Sequence, residues 1–287
     1  MMNVEIKKLE LAAVRSRLNA LRMLRAGGSG HIGGAFSAMD AVTALYFHKM
    51  KCDPADPGMK DRDRFILSAG HKCLAQYAVL AEKGYFPKAI LDTYGQLKTK
   101  LPGHPDMHKL PGVEANTGAL GHGLSIGVGM AMGLRLDGSP ANVFVVMGDG
   151  ELPEGSNWEA AMAAAHHGLD NLTVLLDNNG LQISGDVRSI MDLYPIDGHF
   201  AAFGWNTVTI DGNDMSELVG TLDGVPFKNG KPTLILMKTV KAKGLKIGEG
   251  KAAYHYWSPK PDELKQAEDD LRAEESRLEA EIKAVRV

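Results

Sequence analysis

The chain has 287 residues, a formal net charge of −3 and 44% hydrophobic residues, a balance typical of a folded protein with a sizeable core. This charge gives no electrostatic attraction to nucleic acids or acidic membranes. No apolar run approaches the roughly 20 residues that span a bilayer. We therefore expect neither a nucleic-acid partner nor a membrane segment.

The cysteines and the N-terminal residues bear on the cellular compartment. Cys52 and Cys73 have neither C-x-x-C spacing nor zinc-ligand spacing, so we interpret both as reduced thiols. Residues 1–8 contain no apolar export-signal core. Both observations favour a cytoplasmic protein.

The first predicted element is an amphipathic helix, because valine and leucine recur at helical spacing between residues 14 and 24. It should end at residues 27–30, where three glycines and a serine favour a tight loop. A second helix is predicted over residues 37–49, with Ser37 as its N-cap.

Five short apolar runs farther along the chain are interpreted as buried strands. They cover residues 64–67, 143–147, 172–176, 205–210 and 233–237. Helices are predicted between them, notably over residues 123–136 and 156–168. This alternation favours an α/β fold, in which helices cover both faces of a parallel sheet.

From Pro261 onward the composition changes to that of a charged amphipathic helix. Its apolar stripe consists of Leu264, Ala267, Leu271, Leu278, Ile282 and Val285. Such a stripe fits a surface helix that packs on its own domain, and it also fits a tail or docking segment for a partner.

The strongest chemical signal lies at the ends of two predicted strands. Gly148-Asp149-Gly150 follows the strand at 143–147, and Asp177-Asn178-Asn179 follows the strand at 172–176. One helical crossover fits between them, which would bring both tips to the ligand-binding edge of a parallel sheet. Asp149, Asn179 and the Leu181 carbonyl could then offer oxygen ligands to Mg²⁺, and the glycines allow backbone N–H groups to approach a diphosphate.

This spacing resembles the thiamine diphosphate motif, and the chain resembles the N-terminal half of transketolase from about residue 10 to about residue 258. The segments that carry the resemblance occur in the order of the family. They are Ser29-Gly30-His31, Leu67-Ser68-Ala69-Gly70-His71, Pro102-Gly103-His104-Pro105-Asp106, Thr117-Gly118-Ala119-Leu120-Gly121-His122-Gly123, Gly148-Asp149-Gly150-Glu151-Leu152-Pro153-Glu154-Gly155 and Lys238-Thr239-Val240-Lys241-Ala242-Lys243-Gly244. The resemblance implies a diphosphate-binding domain over residues 1–260, followed by the charged helix of residues 261–287.

The resemblance also implies roles for individual residues. The metal, Mg²⁺ or Ca²⁺, would be held by Asp149, Asn179 and the main-chain carbonyl of Leu181. Thiamine diphosphate would be contacted by His71, Gly118, Leu120, Gly150, Asn179 and His255. The channel to its reactive carbon would be lined by His31, His104 and His255. Glu154 would lie at the subunit boundary, in a carboxylate network that joins two active sites.

These histidines suit the implied reaction, because imidazole can donate or accept a proton near neutral pH. Two departures from the family pattern bear on substrate choice and on the metal. Ile32 follows the first histidine, where the family usually has proline, and a glycine that usually follows the last histidine is replaced by Tyr256. Asn178-Asn179-Gly180 differs from the commoner sequences but keeps the metal-binding amide.

A whole transketolase is about twice as long as this chain. Its second half binds the aminopyrimidine of the cofactor and includes a glutamate that hydrogen-bonds that ring. Nothing in this sequence resembles that half, so we expect a separate C-terminal transketolase subunit as partner, in an α2β2 assembly. The chain alone should have negligible activity. Its expected substrates are sugars or sugar phosphates, of the pentose phosphate type by default, with branched or sulfonated sugars as alternatives.

Three other functions are compatible with parts of this pattern. The α subunit of a thiamine-dependent 2-oxo acid dehydrogenase has the same metal motif, but the early loop histidines and Pro-Gly-His-Pro favour the sugar-transferring enzymes. Deoxyxylulose-phosphate synthase also resembles this half but is normally one chain. A subunit that binds the cofactor without catalysis remains a further alternative. A nicotinamide site is disfavoured, since the glycines at 118, 121 and 123 do not form G-x-G-x-x-G.

Overall fold

The computed structural model describes residues 2–284, with side chains from residue 4 onward. Five parallel strands form one sheet in the order β1-β2-β3-β7-β6. These strands are β1 (Arg64–Leu67), β2 (Val143–Gly148), β3 (Leu172–Asn178), β6 (Asn206–Asp211) and β7 (Thr233–Lys238). A small antiparallel hairpin pairs β4 (Leu181–Gln182) with β5 (Gly185–Asp186). The predicted α/β class is therefore confirmed.

Helices cover both faces of the sheet. They are α1 (Met2–Gly27), α2 (Ile32–Ala44), α3 (Cys73–Lys83), α4 (Gly123–Leu136), α5 (Gly155–His166), α6 (Val187–Met191), α7 (Ile196–Ala202), α8 (Met215–Gly224) and α9 (Pro261–Ala284). Helices α1, α2, α3, α8 and α9 share one hydrophobic cluster, and α4, α5 and α7 share another.

The strands feed these two clusters alternately, as a period of two requires. In β2, Phe144 and Val146 belong to the cluster under α1 and α2, whereas Val143, Val145 and Met147 belong to the cluster under α4 and α5. Because both faces are buried, the strands appear in the sequence as continuous apolar runs.

The second helix begins at Ile32 and not at the predicted Ser37, which lies buried inside α2. Its hydroxyl donates to Asp177 Oδ2 at 2.5 Å and so does not cap a helix end. Gly33 and Gly34 belong to the helix despite their poor propensity, because a side chain at either position would collide with a neighbour. A Cβ on Gly33 would lie 2.5 Å from the Tyr254 carbonyl oxygen.

The charged helix α9 packs along α1. Four residues of its predicted apolar stripe are buried there, and Ile282 is partly buried: these four are Leu264, Ala267, Leu271 and Leu278. Arg15 of α1 pairs with both Glu275 and Glu279 at the rim of this contact. Val285 lies outside the described residues. Among residues 2–284, no helix combines the length and apolarity needed to cross a bilayer.

Candidate functional site

The tips of β2 and β3 lie side by side at the carboxyl edge of the sheet. Gly148 is in register with Asp177. The Asp149 carboxylate accepts the N–H of Gly150 at 2.8 Å and the N–H of Gly180 at 2.6 Å. Asp149 therefore reaches the peptide that directly follows Asn179, the juxtaposition that the motif spacing predicts.

A cavity of about 290 Å³ opens over these tips. Nine of the residues singled out from the sequence line it: His31, His71, Gly118, Leu120, Asp149, Gly150, Asn179, Leu181 and His255. Its volume is near the lower end of the range for small-molecule sites. Segments from the whole length of the chain thus converge on one pocket.

His104 and Glu154 are exposed and do not line this cavity. Both lie against glycines of the loop that does. A Cβ built on Gly118 would be 2.6 Å from His104 Cδ2, and one on Gly121 would be 2.5 Å from Glu154 Cβ. The two side chains therefore border the cavity from the outside.

Two antiparallel bonds bring the early and late histidines together. Gly30 and Trp257 exchange N–H···O=C bonds of 3.0 and 2.9 Å, which fixes His31 beside the segment that carries His255. The rings of His31, His71 and His255 lie 5.2 to 5.5 Å apart, centroid to centroid. The three imidazoles form one cluster at the mouth of the cavity.

Burial, rather than any carboxylate partner, governs the titration of this cluster. It lowers the pKa of His71 to about 2 and that of His255 to about 4, with nearby cations as the next cause. Burial also lowers the pKa of His31, followed by His104 and Lys241. All three imidazoles are therefore neutral at pH 7.

A buried ion pair lies behind the strand tips and was not identified from the sequence. Lys72 donates to Asp177 at 2.6 Å, and both side chains are almost wholly buried. Burial alone would raise the pKa of Asp177, but Lys72 and donors from Ser37 and Thr239 hold it below its usual value. Asp177 therefore joins β3 to α2, to the start of α3 and to the end of β7.

Glu151 was also not identified from the sequence. It is buried and accepts bonds from the Ser68 hydroxyl and from the N–H groups of Gly148 and Gly121. Burial raises its pKa, and the Ser68 bond partly opposes that shift. Glu151 therefore ties the Gly118–Gly121 region to the tips of β1 and β2, and the only signal for it in the sequence is its place within the Gly-Asp-Gly-Glu run.

Asp149 and Lys241 are buried charges that have no direct partner of opposite sign among the described side chains. Burial, and then Asp177, raises the pKa of Asp149 to about 6. Burial, and then Lys72, lowers the pKa of Lys241 to about 8. The Lys241 ammonium donates to the Leu181 carbonyl at 2.8 Å and lies 3.2 Å from His255 Nδ1.

The oxygen donors at this edge suit a hard cation that also binds phosphate. No group of three His, Cys, Asp or Glu side chains capable of holding a metal occurs in the described part of the chain. One carboxylate, one amide and one carbonyl leave most of an octahedron to phosphate and water, as magnesium prefers. The Leu181 carbonyl has two lone pairs, so its bond to Lys241 leaves one for a metal.

The sequence relatives agree with this site. Residues 9–282 match the family described as transketolase, thiamine diphosphate binding domain. The chain is 39% identical over 278 residues to the first subunit of apulose-4-phosphate transketolase from Phocaeicola vulgatus, covering 97% of this chain and 99% of that one. It is 44% identical over 228 residues to the 6-deoxy-6-sulfo-D-fructose transketolase subunit SqwG of a Clostridium species, covering 79% of this chain and 83% of that protein.

Solved transketolases share the fold. A structure from Pichia stipitis superposes with a TM-score of 0.86 at 29% identity, covering 98% of this chain and 44% of that one. Transketolase from Campylobacter jejuni gives a TM-score of 0.85 at 31% identity, with 96% and 46% covered. The chain thus spans less than half of each solved transketolase chain. Together with the family match, these likenesses establish that the chain belongs to the transketolase family, as a thiamine diphosphate-binding domain.

Proposed function

We propose that this chain is the N-terminal subunit of a two-chain transketolase, which transfers a two-carbon ketol unit from a ketose to an aldose. It would bind thiamine diphosphate through a divalent metal and would turn over only with a C-terminal partner subunit. Its substrates would be sugars or sugar phosphates.

The pair of uncompensated charges in the cavity carries this proposal. Asp149 is a buried carboxylate without a cation, and Lys241 is a buried ammonium without an anion among the described side chains. An isolated buried charge is costly unless a ligand of opposite charge meets it. A magnesium diphosphate supplies both charges at once, a cation for Asp149 and an anion for Lys241.

The residues fit the cofactor without any change of type. Asp149, Asn179 and the Leu181 carbonyl would hold the metal, while Lys241, His71 and the N–H groups beside Gly150 would hold the diphosphate. Gly118 and Leu120 would flank the cofactor. When bound, thiamine diphosphate supplies the electron sink that the two-carbon fragment requires.

The neutral histidines would handle protons on the sugar hydroxyls. The Lys241 ammonium can only donate, so His255 Nδ1 accepts and the imidazole proton resides on Nε2. His255 would therefore offer a donor to a substrate oxygen, and His31 and His104 would bind neighbouring hydroxyls. Because the buried imidazoles His31 and His255 are neutral at pH 7, each can accept a proton from a hydroxyl and return it.

The partner requirement rests on the length of the chain and on the names of its relatives. The chain covers 44% of a whole transketolase but 99% of a protein whose name makes it one subunit of a transketolase. A second polypeptide would supply the remaining half, and Glu154, exposed beside the cavity, would lie at the boundary between subunits. An α2β2 assembly would bring two such sites together.

The relatives widen the choice of sugar. One is named for apulose 4-phosphate, a branched sugar, and another for 6-deoxy-6-sulfo-D-fructose, a sulfonated one. Donor assays for this chain should therefore include a pentose phosphate, a branched sugar phosphate and a sulfonated ketose. The transketolase names of the relatives favour sugar transfer over the 2-oxo acid dehydrogenase alternative.

The direct test is to measure two-carbon transfer by the chain alone and after copurification with the product of the adjacent gene. Activity with thiamine diphosphate and Mg²⁺ should require both polypeptides. Asp149→Asn should abolish it, whereas Asp137→Asn, at an exposed position beyond α4, should leave it intact. Full activity of the isolated chain would overturn the partner requirement. Cofactor binding by the complex without transfer from any donor would support the non-catalytic alternative instead.

A further inference from the structure

Lys241 lies in a loop, residues 239–245, that is held in place from the side opposite the cavity. The Asn213 side chain accepts the N–H of Val240 at 2.8 Å. Arg17 Nε donates to the Lys243 carbonyl at 2.9 Å. Two anchors therefore grip the backbone on either side of Lys241, and neither of them lines the cavity over the strand tips.

Asp40 joins these two anchors. Its carboxylate accepts two bonds from the Arg17 guanidinium, both of 2.8 Å, and one from Asn213 Nδ2 at 2.9 Å. Arg17 and Asp40 are 5% and 7% exposed, and a bidentate buried pair of this kind has a fixed geometry. The position of α2 is thereby transmitted to both anchors.

The backbone between the anchors adopts a conformation that it would not hold unaided. Ala242 is fully buried and has φ of +60°, in the left-handed region that alanine rarely occupies. Its N–H donates to the Gly33 carbonyl at 2.9 Å. Strained backbone persists only where its surroundings over-determine it, and here the two anchors and the Gly33 bond do so.

We infer that Asp40, Arg17 and Asn213 are positioning residues that set the location of the Lys241 ammonium for the diphosphate of the cofactor. This inference rests on the proposed function in assigning Lys241 to the diphosphate. None of the three touches the proposed cofactor site. They act through the backbone of residues 239–245, from the floor of a second cavity of about 530 Å³ beside α1 and α9.

Asn213→Ala tests the inference, since it removes the anchor at Val240 and the link to Asp40. Asn206→Ala is the matched control, because Asn206 starts the neighbouring strand, β6, and its amide contacts only Asn229 and Lys231 at the far end. Hydrogen–deuterium exchange without ligand is measured on residues 239–245. Titration with thiamine diphosphate and Mg²⁺ is then measured by calorimetry on the complex with the partner, for each variant alone and in a Lys241→Met background.

Asn213→Ala should raise exchange in residues 239–245 and weaken thiamine diphosphate binding by about tenfold, as expected for the loss of one or two buried hydrogen bonds. Asn206→Ala should change neither measurement. In the Lys241→Met background Asn213→Ala should cost no further affinity, because residues that act through one another are not additive. A purely structural role would instead give the same loss in both backgrounds.

Unchanged exchange in Asn213→Ala would overturn the inference, and so would a fully additive loss of affinity. If Asn213→Ala fails to fold, Asn213→Gln keeps the amide but moves it by one methylene and is read by the same exchange measurement. Failure of the unaltered chain, with its partner, to bind thiamine diphosphate would refute the proposed function. The exchange result would still decide whether Asn213 holds the loop.

Discussion

The buried pair between Lys72 and Asp177 should be the most sensitive charge pair behind the site. Asp177→Asn removes the charge while keeping the shape, and leaves the Lys72 ammonium buried at 4% exposure. The new amide would also meet donors from Ser37 and Thr239 with only one acceptor oxygen. Both effects act in the same direction.

Breaking one side of such a pair costs about 3–5 kcal/mol, because an uncompensated charge remains in the interior. Lys72→Met should cost a similar amount. The double variant removes both charges, so its loss should be smaller than the sum of the two single losses by about 2 kcal/mol. The contrast is with Asp270→Asn, which removes the exposed pair with Lys246 and should cost less than about 1 kcal/mol.

Urea unfolding of the purified chain, followed by tryptophan fluorescence, measures all four variants. Chains of this kind have unfolding free energies of about 5–15 kcal/mol, so the single variants should remain folded without urea. A loss below about 1 kcal/mol for Asp177→Asn would refute this reasoning. So would losses for Lys72→Met and Asp177→Asn that simply add in the double variant.

Two further outcomes follow from the pKa values and from the glycines. The unfolded chain binds protons on His71 and His255 below about pH 6.5, whereas the pKa values of the folded chain are about 2 and about 4. Stability should therefore fall as the pH drops from 6.5 to 4, by up to about 1.4 kcal/mol per pH unit for each histidine, and His71→Asn with His255→Asn should flatten that slope. Asp149, with its raised pKa, acts with the opposite sign below about pH 6, so the comparison with the variant is decisive. Separately, Gly33→Ala should destabilise the chain by about 1–3 kcal/mol through collision with the Tyr254 carbonyl, while Gly129→Ala, in the open on α4, should stabilise it by about 0.5–1 kcal/mol. Thermal unfolding measures both, and equal signs for the two glycines would contradict the packing described.

The sheet could be predicted because its strands are buried on both faces. All five strands lie within one or two residues of the apolar runs seen in the sequence. Their order could not be predicted, since β7 is inserted between β3 and β6 by pairing between distant segments. Helix α2 was misplaced for a related reason, because its first turn carries glycines whose purpose is visible only in the contacts around them.

The edge of the sheet that carries Asp149 and Asn179 could also be predicted, because a parallel crossover brings neighbouring strand tips together. The buried lysines could not, since lysine is usually a surface residue. A Cβ built on Gly34 would lie 2.8 Å from Lys72 Cε, and one on Gly33 would lie 3.1 Å from Lys241 Cε. The consecutive glycines after His31 are therefore the sequence signal for two buried lysine side chains.

An experimental structure of the chain with its partner, thiamine diphosphate and Mn²⁺ tests the metal assignment. Anomalous scattering should place one Mn²⁺ at bonding distance from the Asp149 carboxylate, the Asn179 amide oxygen and the Leu181 carbonyl, with the Lys241 ammonium against the diphosphate. A metal bound elsewhere, or a diphosphate bound without contact to Asp149 or Lys241, would contradict the proposed roles of those two buried charges.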